Sequence, residues 1–90
     1  MMNQEIVDNI LHELELAERK FPQFVYDPIH AVAILAEESG ESVQAALDWV
    51  YHDGDKEHLL KELYQTAAMC IRTIKNIDNF QLIRTNEAAS

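Results

Sequence analysis

Apolar residues recur along most of this chain at intervals of three and four, the spacing that places them on one side of an α-helix. No run alternates strictly enough to read as a strand. Pro22 and Pro28 bracket one loop and Gly54 marks another, which leaves three helical segments. The first is predicted over residues 4–19. Ile6, Ile10, Leu14 and Ala17 form its stripe, widened by Val7 and Leu11. Asn3 is the expected N-cap, Glu5 and Asp8 suit the positive end of the helix dipole, Arg19 and Lys20 suit the negative end, and Pro22 stops the helix.

Asp27-Pro28 is a strong start for the second helix, with Asp as cap and Pro in the first turn. It is predicted to run to about residue 51. Val32, Leu35, Ala36, Val43, Ala46, Leu47 and Val50 share one broad apolar face, while His30, Glu37, Glu41, Gln44 and Asp48 line the opposite side. Glu38 falls on the border, on the flank of Ile34, Ala45 and Trp49. Gly40 inside a helix costs roughly 1 kcal/mol against Ala, so close approach of another backbone or a ligand is expected there. Residues 52–55 read as a turn in which Gly54 relieves the backbone and Asp55 caps the next helix. That third helix is predicted over residues 56–77, with Leu59, Leu60, Leu63, Ala67, Cys70, Ile71, Ile74 and Ile77 on its apolar face and His58, Glu62, Gln65, Met69 and Arg72 on one flank. Phe80, Leu82 and Ile83 suggest a short docking turn, and residues 84–90 read as a frayed tail.

The expectation is a single all-α domain over residues 1–90: three helices and a possible C-terminal stub. A chain of 90 residues buries a modest core, and helices apolar on two sides complete a bundle best with a second copy, as a homodimer or tetramer. The formal charge of -9, from seven Lys and Arg against sixteen Asp and Glu, disfavours binding to a nucleic-acid polymer, all the more because the cations are scattered. No apolar run approaches the roughly 20 residues of a membrane span. Residues 1–9 lack the order of a signal peptide, and a lone Cys70 permits no intramolecular disulfide; both suit the cytoplasm.

Candidate chemistry lies in Glu37-Glu38-Ser39-Gly40-Glu41 and in Glu62-Leu63-Tyr64-Gln65 about two dozen residues later. Taken singly, each cluster is ordinary: exposed like charges one turn apart cost only a few tenths of a kcal/mol. Two features raise them above that. Glu38 and Glu62 flank the apolar faces, where two carboxylates about 6 Å apart repel by roughly 3 kcal/mol at an effective dielectric near 20, a conflict that a divalent cation relieves. The clusters also lie on consecutive helices joined by a short turn, so antiparallel packing brings Glu38 and Glu41 across from Glu62 and Gln65. Oxygen donors alone suit Mg²⁺, or Mn²⁺, and a carboxylate-held Mg²⁺ suits a polyphosphate substrate.

These two stretches resemble the metal-binding pattern of the all-α nucleoside triphosphate pyrophosphohydrolases of the MazG-like superfamily, Glu-Glu-x-x-Glu on one helix and Glu-x-x-Asp on the next. The likeness covers roughly residues 30–77. It implies a helical dimer or dimer of dimers that cleaves a nucleotide between its α- and β-phosphates with Mg²⁺. By that resemblance Glu38, Glu41 and Glu62 are metal ligands, and Glu37 is a ligand or orients the attacking water, which makes Glu37 and Glu38 the catalytic pair. Gln65 stands where the pattern has Asp: its neutral carbonyl oxygen is a weaker ligand and cannot serve as a base. The alternatives are therefore a nucleotide- or metal-binding protein without turnover, and a purely structural helical oligomer.

Arg72, two turns from Gln65, is a candidate phosphate clamp, set against an ordinary surface ion pair. His30 aligns with Glu37 and Glu41, and Trp49 offers a ring to a base; both are weaker candidates for substrate contact, since a first-turn polar residue and a half-buried aromatic need no ligand. Asp27-x-x-His30 and Asp55-x-x-His58 have transition-metal spacing, but each Asp is better used as a helix cap. Cys70 reads as packing.

Overall fold

A computed structural model describes residues 2–82, and all of their regular structure is helical. Helix α1 spans Asn3–Lys20, α2 spans Pro28–Tyr51 and α3 spans Lys56–Lys75; a single turn of 3-10 helix, Ile77–Asn79, follows. The third helix is therefore two residues shorter than the sequence pattern suggested. Asn76 closes it, its N–H turned back to the carbonyls of Arg72, Thr73 and Ile74. The other expected caps form at two of three places. The Asp27 carboxylate accepts from Ile29 N–H at 2.9 Å and that of Asp55 from Glu57 N–H at 2.9 Å. Asn3 is not a cap: it is already helical, Met2 holds the N-cap position, and no side chain satisfies that end.

Helix α3 packs against both α2 and α1. The short connection over residues 52–55 makes α2 and α3 an antiparallel hairpin. His52 and Gly54 N–H groups both return to Asp48 O, at 2.9 and 2.8 Å. The left-handed residue in this turn is Asp53, at φ 56°, and not Gly54. Gly54 is required for space instead, since a Cβ there would sit 2.8 Å from the backbone carbon of Asp48. Gly40 has the opposite character: a Cβ would meet nothing within 4 Å, so no close approach within the chain explains it.

The interior of a single chain is small and built from short side chains. Its buried apolar residues are Leu14, Ala31, Ala45 and Ala68. On α1 the expected stripe holds, with Leu14 buried, Ile6, Ile10 and Ala17 half-buried, and Val7 and Leu11 exposed. On α2 the packing face is not the broad apolar one. Ala31, Ser42 and Ala45 are buried, with Glu38 half-buried on the same side, whereas Val32, Val43, Leu47 and Val50 remain 43–66 % exposed. Small residues let α2 and α3 approach closely, and that preference outweighs the larger side chains within one chain. Ile74 on α3 and Ile77 at the start of the 3-10 turn are likewise exposed.

Arg72 ties the free end together. It is buried, at 4 % exposure, and donates to Ala17 O at 3.3 Å and to Phe21 O, so its charge sits on the negative end of α1. Its guanidinium lies 4.8 Å from the centroid of Phe24. Phe24 in turn packs on Phe80 with ring centroids 6.2 Å apart, and Gln81 N–H donates to Tyr26 O at 2.8 Å. The docking turn expected after α3 thus forms through Phe80. Leu82 is exposed, and Ile83 and the expected tail lie outside the described residues.

Candidate metal centre and adjoining groove

The hairpin brings Glu38 and Glu41 of α2 together with Glu62 of α3. One carboxylate oxygen from each lies within 4.8 Å of the others. Glu38 and Glu62 are half-buried and Glu41 is exposed. Burial raises the Glu38 pKa above the usual carboxylate value, and repulsion from Glu41, Glu62 and then Glu37 adds to it. Burial also raises that of Glu62. Hydrogen bonding with Glu41 and repulsion from it push the same way, and the nearby His58 and Lys61 oppose. His58 Nε2 stands 3.9 Å from Glu62 Oε1 on the solvent side.

One atom singles the cluster out. Glu62 Oε2 is buried with no hydrogen-bond partner, on a side chain only 12 % exposed. A buried carboxylate oxygen without a donor is costly, and a hard cation satisfies it. Three carboxylates, no sulfur and a half-open setting make the donor set fit Mg²⁺ or Mn²⁺ better than a thiophilic metal.

The other sequence candidates distribute unevenly. Glu37 is exposed and reaches the cluster through its charge on Glu38. Gln65 turns toward α1, where its Nε2 donates to Glu13 Oε1 at 3.2 Å. Arg72 is neither a surface ion pair nor free: it donates to the carbonyls of Ala17 and of Phe21, the residue that caps α1, and among the described residues no carboxylate is within ion-pair distance of it. His30 and Trp49 are exposed and line neither the cluster nor the cavity beside it.

That cavity is a groove of about 300 Å³ between α1 and α3, lined in part by Glu38 of α2. Its apolar wall includes Leu16, Phe21 and Met69; its polar lining includes Gln65 and Glu13 and three of the chain's seven cations, Lys20, Lys61 and Arg72. Three cations stand there with two carboxylates, Glu13 and Glu38, so the groove is less acidic than the chain as a whole, whose net charge is -9. Glu13 and Lys20 line this site; for Glu13 only the fold shows it, because its partner Gln65 lies 52 residues away. The same polar shell pins α1 through Lys75 Nζ and Glu18 Oε2, 2.9 Å apart.

Comparison with protein-family models, with curated proteins and with solved structures found no match. No described helix is long and apolar enough to cross a membrane.

Proposed function

We propose that this chain is a divalent-cation-dependent nucleotide pyrophosphohydrolase of MazG-like type, which converts a nucleoside triphosphate or related nucleotide to a monophosphate and pyrophosphate. The observation that carries the reading is the convergence of Glu38, Glu41 and Glu62 around the unpartnered Glu62 Oε2, at the edge of a groove rich in cations. Glu38, Glu41 and Glu62 hold the cation, Mg²⁺ or Mn²⁺. When bound, the ion neutralises phosphate oxygens and acidifies a coordinated water. Lys20 and Lys61 attract the phosphates, while Leu16, Phe21 and Met69 offer an apolar wall to the base. Glu37, exposed next to Glu38, accepts a hydrogen bond from the attacking water and takes its proton. Water adds to a phosphorus of the α–β anhydride, the bridging P–O bond breaks, and pyrophosphate leaves.

The protein works as a homodimer or tetramer in the cytoplasm. The support for assembly is the exposed stripe of Val32, Val43, Leu47 and Val50 beside an interior of one leucine and three alanines. Release of pyrophosphate from a nucleotide panel, with Mg²⁺ and with EDTA, tests the activity; no release from any nucleotide by folded protein with Mg²⁺ present defeats it.

A second reading, binding of nucleotide or metal without turnover, is favoured by Gln65, whose neutral amide is engaged by Glu13. Gln65→Asp separates the two. Hydrolysis gained by the variant over an inactive parent supports the binding-only reading.

A further inference from the structure

Three small polar contacts lie one helical turn from the carboxylates. Ser42, buried at 8 % exposure on α2, meets Thr66 of α3 with 3.1 Å between hydroxyl oxygens. Thr66 Oγ1 donates back to Glu62 O at 2.8 Å, and Ser42 Oγ lies 3.3 Å from Glu38 O. Each hydroxyl has one proton. The Thr66 proton goes to the shorter contact, Glu62 O, which leaves a lone pair on Thr66 Oγ1 to accept from Ser42. The Ser42 proton is then shared between Thr66 and Glu38 O. The result is a directed chain running from the Glu38 backbone, through both hydroxyls, to the Glu62 backbone.

The placement of this chain is specific. Ser42 follows Glu38 by one turn, and Thr66 follows Glu62 by one turn. Because α2 and α3 run antiparallel, Glu38 stands a turn to one side of the hydroxyl pair and Glu62 a turn to the other. A slide of either helix by one residue, 1.5 Å, therefore changes the separation of the two carboxylates directly. Close packing through Ala45 and Ala68 sets the distance between the helices, and the 52–55 turn sets their register at one end. The hydroxyl pair is a directional link between them at the level of the carboxylates, well away from that turn.

We infer that Ser42 and Thr66 are positioning residues for the cation site: their hydroxyl pair locks α2 against α3 at the axial offset where Glu38 and Glu62 converge. The inference rests on the metal-site reading above. It is tested by measuring Mn²⁺ affinity from the electron paramagnetic resonance of free Mn²⁺, at a temperature where every variant is fully folded, together with urea unfolding in EDTA. Ser42→Ala and Thr66→Val each lower Mn²⁺ affinity about tenfold, the size expected for groups that orient ligands. The double variant loses little more than the worse single one, because both remove the same link. Thr66→Ser keeps the hydroxyl and keeps the affinity, even where loss of its methyl group lowers the urea midpoint. Affinity unchanged in both single variants, or losses that add in the double variant, overturns the inference while the metal site stands. A parent protein that binds no Mn²⁺ overturns the metal-site reading and this inference with it.

Discussion

Removing one charge from the carboxylate cluster should have opposite effects with and without metal. Consider Glu38→Gln, which keeps the shape of the side chain. With oxygens within 4.8 Å, two ionised carboxylates repel by about 3.5 kcal/mol at an effective dielectric of 20 and about 0.9 kcal/mol in water. Glu41 is exposed, which moves its share toward the lower figure, and partial protonation reduces both. A net gain of about 1 kcal/mol is expected for the variant in EDTA near pH 7.5, or roughly 4–8 °C in melting temperature for a domain of this size. The parent recovers and overtakes it in metal, gaining about 2.7 kcal/mol at a free Mg²⁺ concentration of 100 Kd, whereas the variant gains little. The sign of the pH dependence follows from the raised pKa values of Glu38 and Glu62. A carboxylate whose folded pKa lies above its unfolded value makes its full contribution to stability below the unfolded value, and loses it as pH rises through the folded one. In EDTA the parent should therefore close the gap to the variant as pH is lowered from neutral toward 4.5. Thermal and urea unfolding at fixed protein concentration, in EDTA and in Mg²⁺, read all of this. A variant less stable than the parent in EDTA, or two proteins that rise equally with Mg²⁺, refutes the reasoning.

Arg72→Met should cost about 2 kcal/mol or more in urea, because Ala17 O and Phe21 O lose their donor; Arg72→Lys should restore little, since one ammonium cannot span both carbonyls. The two glycines should respond with opposite signs. Gly54→Ala destabilises by about 1–3 kcal/mol through its clash with the Asp48 backbone, and Gly40→Ala stabilises by up to about 1 kcal/mol, both read as changes in urea midpoint. Leu47→Lys, on the exposed stripe of α2, should reduce the mass measured by light scattering to that of one chain; a mass already that of one chain in the parent would remove the case for assembly.

The helix starts at Asp27 and Asp55 were legible because a carboxylate cap works through neighbouring residues alone. The convergence of Glu38, Glu41 and Glu62 was legible because a short turn fixes the register of two amphipathic helices. The inward face of α2 was not. Periodicity weighs side chains by their apolar bulk, whereas Ala31, Ser42 and Ala45 are buried because they are small. Arg72 misled for a related reason: a cation on a helix flank suggests solvent or phosphate, and its carbonyl partners at the C-terminal end of α1 are 51 and 55 residues away. Glu13 gave no local signal, since its link to Gln65 spans 52 residues. Whatever depended on how α1 lies against α3 was outside the reach of sequence patterns.

That same division between near and distant links sets the order in which the molecule loosens. The α2–α3 hairpin is closed by four residues, 52–55, and keeps its acidic cluster by itself. Helix α1 is held by one buried leucine and a few polar clasps across half the chain. Backbone amides of α1 should accordingly exchange with deuterium sooner than those of the hairpin. Lifting α1 would remove one wall of the groove and leave the three carboxylates, all on the hairpin, together.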